Sequence, residues 1–446
     1  MADTFDLLLK GGTVVTPNGA AVTDIGVTNG AIRAIGTLSA AQAGETVDCT
    51  GLHVLPGVID TQVHFREPGL DHKEDLETGS RAAVMGGVTA VFEMPNTNPQ
   101  TTNPAALEDK LARAKDRMHC DHAFYVGGTH ENVADLPELE RLPGAAGIKV
   151  FIGSSTGSLL VADDPGVRAI LKVIRRRAAF HCEDEPRLNE RKPLRVPGDA
   201  SSHPVWRDEI AALTATRRLV TLAREVGARV HVLHVTSAEE IAYLAEHRDV
   251  ASVEVTPHHL TMAAPECYQR LGTLAQMNPP VREARHRAAL WRGILNGVVD
   301  VLGSDHAPHT LEEKAKPYPD TPSGMTGVQT LVPLMLDHVA EGRLSLERFV
   351  DLSSAGPARL FNIACKGRIA TGYDADFTVV DLKRRTTITN GWIASRAQWT
   401  PYDGVEVTGW PVGTFVRGRK VMWEGELTTP SVGAPVRFLE TLEPGR

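Results

Sequence analysis

The stretch Asp60-Thr61-Gln62-Val63-His64-Phe65-Arg66 is the first place where residue types and spacing suggest chemistry. Residues 54–59 read as a buried strand, and the segment breaks at Pro68-Gly69. Side chains repeat every two residues along a strand, so Gln62 and His64 share a face. A histidine pair there would hold one metal, and here only His64 is a natural ligand. Lys149, His181, His234 and Asp305 lie in or at the ends of four further apolar runs. Neutral imidazole and carboxylate suit Zn²⁺, and a catalytic zinc keeps one position open for water. Lys149 sits in Ala146-Gly147-Ile148-Lys149-Val150-Phe151, where an unpaired ammonium is costly. Either a buried carboxylate such as Asp305 satisfies it, or its neutral amine has reacted with CO₂ to give a carbamate that bridges two metals. Asp305, within Gly303-Ser304-Asp305-His306, reads either as ligand and general base or as a turn aspartate. One histidine at a strand end is ordinary; five polar residues on five strands are hard to assign to coincidence.

The elements that must position these residues follow from hydrophobic patterning. Strand-like runs fall at 54–64, 87–94, 122–127, 147–152, 178–182, 230–236, 252–256 and 299–304, with helical segments such as 74–85, 105–117, 210–226 and 283–296 between many of them. Alternating strands and helices predict a parallel sheet, and eight of them fit an α/β TIM (β/α)8 barrel, whose active sites form at the C-terminal ends of the strands. Both termini instead alternate short β-like runs with Gly and Asn turns. This pattern predicts a small β-sandwich domain formed by both termini, residues 1–55 plus 368–446, around a barrel of residues 56–367. The stretch 310–327, rich in Pro, Lys and Glu, is long for a connection and is expected to act as a lid.

Composition bounds the partners. With 446 residues, 42% hydrophobic content and a net charge of −8, the chain reads as a soluble globular protein without a nucleic-acid surface. Arg175-Arg176-Arg177, ahead of Ala178-Ala179-Phe180, reads as a solvated turn before a strand. Five scattered cysteines without CxxC spacing imply reduced thiols and a cytoplasmic location. Neither a signal peptide nor a membrane-spanning run is expected. His258-His259, His72 and His231 are read as supporting residues, because adjacent strand positions face opposite sides.

Taken in order, Pro56-Gly57-Val58-Ile59-Asp60, His64-Phe65-Arg66-Glu67-Pro68-Gly69, Gly86-Gly87-Val88-Thr89, Met94-Pro95-Asn96-Thr97, Lys149, His181, His234, Met277-Asn278-Pro279-Pro280, Gly303-Ser304-Asp305-His306-Ala307-Pro308-His309 and Gly372-Tyr373-Asp374-Ala375-Asp376 resemble the cyclic amidohydrolases of the amidohydrolase superfamily, the dihydroorotases above all. The resemblance spans nearly the whole chain. It implies an α metal facing His64, Lys149 and Asp305, and a β metal held by Lys149, His181 and His234. Gln62 stands where the first α histidine is expected, and a glutamine amide is a weak zinc ligand. At least one Zn²⁺ is therefore expected, two if the α position fills, bridged by a carboxylated Lys149. Arg66, Asn96 and His309 match carboxylate-binding positions, and Asn278 a ring-contacting one. The alternative for Arg66 is a surface salt bridge to Glu67 or Glu74, and for Asn96 a loop cap.

The expected reaction is reversible hydrolysis of L-dihydroorotate to N-carbamoyl-L-aspartate in pyrimidine synthesis, with Asp305 as the proton carrier. Two rivals stay open. One is a hydantoinase, dihydropyrimidinase or allantoinase activity on the same fold. The other is a non-catalytic homologue that partners aspartate transcarbamoylase, as some relatives do, and Gln62 favours it. A homodimer or higher homo-oligomer is expected in either case.

Overall fold

A computed structural model describes residues 4–16, 19–40, 43–155 and 159–442. The N-terminal strands are β1 (Phe5–Thr16), β2 (Gly19–Thr28), β3 (Ala31–Gly36), β4 (Ala43–Asp48) and β5 (His53–Pro56). Eight parallel strands follow: β6 (Val58–Val63), β7 (Val88–Glu93), β8 (Asp121–Gly127), β9 (Ala145–Phe151), β10 (Ala178–His181), β11 (Val230–Val232), β12 (Ala251–Val255) and β13 (Val301–Leu302). The chain ends with β14 (Phe377–Thr387), β15 (Glu406–Val416), β16 (Arg419–Trp423) and β17 (Glu426–Leu427). Strands β6 to β13 pair in chain order and helices lie between most of them, which makes the expected barrel. The terminal strands form one sheet ordered β17-β16-β15-β14-β5-β1-β2-β3, with β4 on β1. Its two halves meet where β14 runs antiparallel to β5.

The single strand expected at 54–64 is two strands. Gly57 separates them because a Cβ there would stand 2.3 Å from Thr89 Oγ1 and 2.7 Å from Asp376 Cβ. Only glycine lets the chain leave one sheet and enter the other at that approach.

The barrel strands are buried along their whole length, as expected when both faces are covered. Every residue of β7 (Val-Thr-Ala-Val-Phe-Glu) is buried. The helices that cover them start on side-chain caps. Asp75 and Thr78 form a reciprocal capping box on Leu76–Met85, and Asp208 caps Glu209–Val226, which stops at left-handed Gly227.

Closure between β6 and β13 is made by few bonds. Val63 bridges His306, the His64 amide donates to the His306 carbonyl at 2.7 Å, and Asp60 Oδ1 accepts from the Ser304 amide at 2.9 Å. Burial pushes the Asp60 carboxyl up to about 7. The barrel is tied to the terminal strands by Lys366, which pairs with Asp121 of β8 at 2.7 Å and with Asp374 and Asp376 at 3.2 and 2.5 Å.

The run Arg175-Arg176-Arg177 is solvated only at Arg175, not along its length. Arg176 is buried, donating to the carbonyls of Glu140 and Ala145, and Arg177 donates to the Val230 carbonyl. The stretch 310–327 also has its own structure. It carries the helical turn Leu311–Lys314, capped by Thr310 and Glu313, and Lys314 is buried against the Gln276 and Pro322 carbonyls. Among the described residues all five cysteines are free, and no helix is long and apolar enough to cross a membrane.

Candidate active site

At the C-terminal ends of the barrel strands lies a cavity of about 360 Å³. Gln62, His64, Arg66, Asn96, Lys149, His234, Asn278 and Asp305 all line it. His181 stands directly behind His234, with His181 Nδ1 3.0 Å from His234 Nε2. His309 stands behind Arg66, with its Nε2 3.3 Å from Arg66 Nη2. The residues singled out in the sequence therefore gather at one place. Arg66, His234 and Asp305 have φ values of 65°, 37° and 49°, left-handed backbone that non-glycine residues seldom adopt. Such strain persists where surrounding structure enforces it, and it clusters at functional sites.

Two alternatives fall away. Lys149 does not pair with Asp305: its Nζ is buried without a hydrogen-bond partner among the described residues and lies 4.3 Å from the centre of the Phe151 ring. Burial pushes its pKa down to about 7, so the free amine is accessible at neutral pH. Arg66 has no salt bridge to Glu67 or Glu74. Glu67 pairs with Arg113 and Arg117, and Glu74 with His306. Asn96 is more than a loop cap, since its Oδ1 accepts from His64 Nδ1 at 2.8 Å.

The histidines are neutral and aimed. Burial lowers the pKa of His64, His181 and His234, the last well below its ordinary value. His64 donates Nδ1–H to Asn96, which leaves the Nε2 lone pair 3.3 Å from Asp305 Oδ1. His181 donates Nε2–H to Glu183 Oε2 at 2.9 Å, which leaves Nδ1 bare toward His234. Acceptors turned toward one another in this way suit a shared cation. Glu183 is the residue that sequence reading missed. It lies two positions after His181, a spacing at which a strand-end carboxylate was worth noting. Burial alone would raise its pKa, but Arg207 and His181 outweigh that and hold it below the usual carboxylate range. A carboxylate on the far nitrogen fixes tautomer and ring orientation, as behind many metal-bound histidines.

Gln62 departs from the metal pattern in a defined way. Its Nε2 donates to Asp305 Oδ1 at 3.0 Å, and its buried Oε1 has no partner among the described residues. Among those residues no group of three or more His, Cys, Asp or Glu is placed to hold an ion, and Lys149 and Gln62 are further potential donors lining the cavity.

Around the site, Arg66 Nε donates to the Pro308 carbonyl at 3.1 Å, Lys73 Nζ reaches His309 Nδ1 at 3.1 Å, and His203 Nε2 meets Asn278 Oδ1 at 2.9 Å. Gly324 lines the cavity at φ 145°, where a Cβ would meet the Ala307 carbonyl oxygen at 2.3 Å. His258 and His259 stay out, as expected, though for another reason. They lie on the short helix Pro257–Thr261, bonded to the Tyr402 hydroxyl and the Pro279 carbonyl.

Comparison with known proteins agrees with this geometry. The chain is 36% identical over 408 residues to a dihydroorotase of Methanothermobacter thermautotrophicus, covering 91% of this chain and 92% of the relative. It is 38% identical over 427 residues to a dihydroorotase of Halobacterium salinarum, covering 93% and 97%. Among solved structures, the L-hydantoinase (dihydropyrimidinase) from Arthrobacter aurescens superimposes with a TM-score of 0.92 at 31% identity, covering 97% of this chain and 100% of that one. With the Amidohydrolase family matching residues 53–421, the strand-end cluster and the barrel carrying it have one common explanation: the chain belongs to the amidohydrolase family.

Proposed function

We propose that this cyclic amidohydrolase is a cytoplasmic, zinc-dependent dihydroorotase, which opens L-dihydroorotate reversibly to N-carbamoyl-L-aspartate in pyrimidine synthesis. One observation carries the reading. Arg66 is a buried guanidinium that lines the same cavity as Asp305 and has no ion pair among the described residues. Burial pushes it down to about 10, so it stays charged at neutral pH. A buried cation without a direct ion pair in a substrate cavity suits an anionic substrate.

Each residue then has a task. Arg66 takes the substrate carboxylate with Asn96, while His309 holds the guanidinium in place. Asn278, fixed by His203, contacts the ring. Water attacks the ring amide carbon, forming a C–O bond as the C–N bond breaks. Asp305 accepts the water's proton and delivers it to the departing ring nitrogen. Gln62 and His64 both contact Oδ1, so Oδ2 is the oxygen left for the proton. His181 and His234, with a carboxylated Lys149, would hold one zinc, and His64 with Asp305 a second, weaker one beside Gln62. When bound, zinc supplies a water activated at neutral pH and a Lewis acid for the ring carbonyl.

The likeness to an L-hydantoinase favours a second reading, a ring without a carboxylate. Turnover of dihydroorotate, hydantoin and allantoin by the zinc-loaded protein separates the two. A kcat/KM for dihydroorotate no greater than for the uncharged rings would refute the dihydroorotase reading. No turnover of any of them would leave the non-catalytic partner of aspartate transcarbamoylase as the favoured reading.

A further inference from the structure

A second cavity, with about 780 Å³ of space, lies at the opposite end of the barrel from the active site. Arg175, Arg176, Arg177, Arg229 and Arg359 line it. In a chain of net charge −8, five guanidinium groups at one cavity stand out against the overall charge. The accompanying carboxylates, Asp300 and Glu440, act on Arg177 and Arg176 only at longer range and form their direct contacts elsewhere. Asp300 pairs with Arg248 at 2.9 Å and accepts from the Val253 amide, and Glu440 is engaged by the Asn362 side chain. Arg359 pairs with Asp351 at 3.1 Å. The other four form no salt bridge among the described residues. Arg175, Arg176 and Arg177 are anchored on main-chain carbonyls, Arg176 also lying 4.3 Å from the Phe438 ring centre. Arg229 is exposed with no hydrogen-bond or ion-pair partner in that set. Carbonyl anchoring orients a guanidinium without cancelling its charge, so several positive forks are held together. Burial and the neighbouring Arg229 push Arg177 down to about 10, a like-charge tension that a bound anion relieves.

We propose that this arginine cavity is a second binding site, taking a small molecule that carries a phosphate group. Planar guanidinium forks match phosphate oxygens pairwise, and one phosphate concentrates more charge than one carboxylate. The site shares its strands with the active site. β9 runs from Ala146 at the arginine cavity to Lys149, and Arg177 and Arg229 immediately precede the strands that lead to His181 and His234.

Isothermal titration of the full chain with inorganic phosphate, adenosine 5′-monophosphate and succinate, at constant ionic strength, tests the proposal. The expected result is saturation at one site per chain by at least one phosphate probe, with succinate weaker by about tenfold or more, the worth of one charge-assisted hydrogen bond. Tighter binding of the nucleotide than of free phosphate identifies a nucleotide ligand, and equal binding a free phosphate; both support the site. Arg229→Gln removes an exposed side chain without a hydrogen-bond or ion-pair partner among the described residues and eases its repulsion of Arg177, so melting without ligand should not fall while phosphate binding weakens about tenfold. Absence of saturable heat from both phosphate probes, equal affinity for succinate, or unchanged binding by Arg229→Gln would each overturn the proposal.

Discussion

Replacing Arg66 by methionine keeps most of the buried stem and removes the charged fork. The assigned role is a two-bond clasp on the substrate carboxylate. Hydrogen bonds to charged groups contribute about 1.5–3 kcal/mol each, and taking two near the lower end gives about 3–4 kcal/mol. At about 1.4 kcal/mol per decade this is a fall of roughly 10²–10³-fold in kcat/KM for dihydroorotate. The variant also leaves the Pro308 carbonyl without its 3.1 Å donor, which costs about 1–3 kcal/mol of folding stability. That loss should appear as a lower melting temperature and should not depend on substrate. The assay is therefore a ratio. Ring opening of dihydroorotate and of hydantoin is followed on wild type and variant under identical zinc loading. Hydantoin, with no carboxylate, should lose less than about fivefold, since a kcat/KM difference reports transition-state interactions made with that substrate. Equal losses on both rings would show that Arg66 acts through the fold. No loss on either would remove it from substrate binding, and the choice of an anionic substrate with it.

Asp305→Asn should lower turnover by about 10²–10⁴-fold, the usual worth of a positioned acid–base, and near-wild-type steady-state rates would exclude it as proton carrier. Gln62→His should raise the zinc content measured by elemental analysis by one ion per chain; an unchanged count would show that this position does not limit metal binding. Glu183→Gln should weaken zinc binding about 10–100-fold in chelator competition, because His181 loses its charged orienting partner. Lys314 gives a pH test at a residue with no assigned role in the reaction. Burial pushes it down to about 7, so between there and its ordinary 10.5 the unfolded chain binds a proton that the folded protein does not. Stability then rises with pH across that window and levels off below it. Urea denaturation at both edges of the window should show Lys314→Met to have lost that slope, and an undiminished slope would contradict it.

Apolar runs and helical spacing made the eight barrel strands legible, because a strand covered on both faces is rich in apolar residues. The strand ends were less so. The break at Gly57 arises from Thr89 and Asp376, which approach it from far along the chain, and local pattern holds no trace of them. The last strand shrank from an expected 299–304 to Val301–Leu302 because Ser304 turns to Asp60 instead of extending the ladder. Chemistry-bearing side chains were legible at strand ends, where a polar residue interrupts an apolar run. Their supports were not. Lys73 reaches His309 across 236 residues and His203 reaches Asn278 across 75, distances over which spacing carries no signal. The arginine run misled because charge suggests solvent, whereas the carbonyls of Glu140, Ala145 and Val230 offered it buried partners.

The seam that closes the barrel also sets the order in which the protein can be completed during synthesis. Asp60 and Gln62 are made early, yet their partners Ser304 and Asp305 follow 244 and 243 residues later. Chains emerge at about 5–20 residues per second, so the early strand waits roughly ten seconds or more for its neighbour. Until then its buried carboxyl and amide face no partner, and the first strand has an open edge. The proposed proton carrier, Asp305, and the final closing contacts lie in the same few residues. A nascent chain therefore cannot possess the active site before it can close the barrel, which keeps half-built molecules inert.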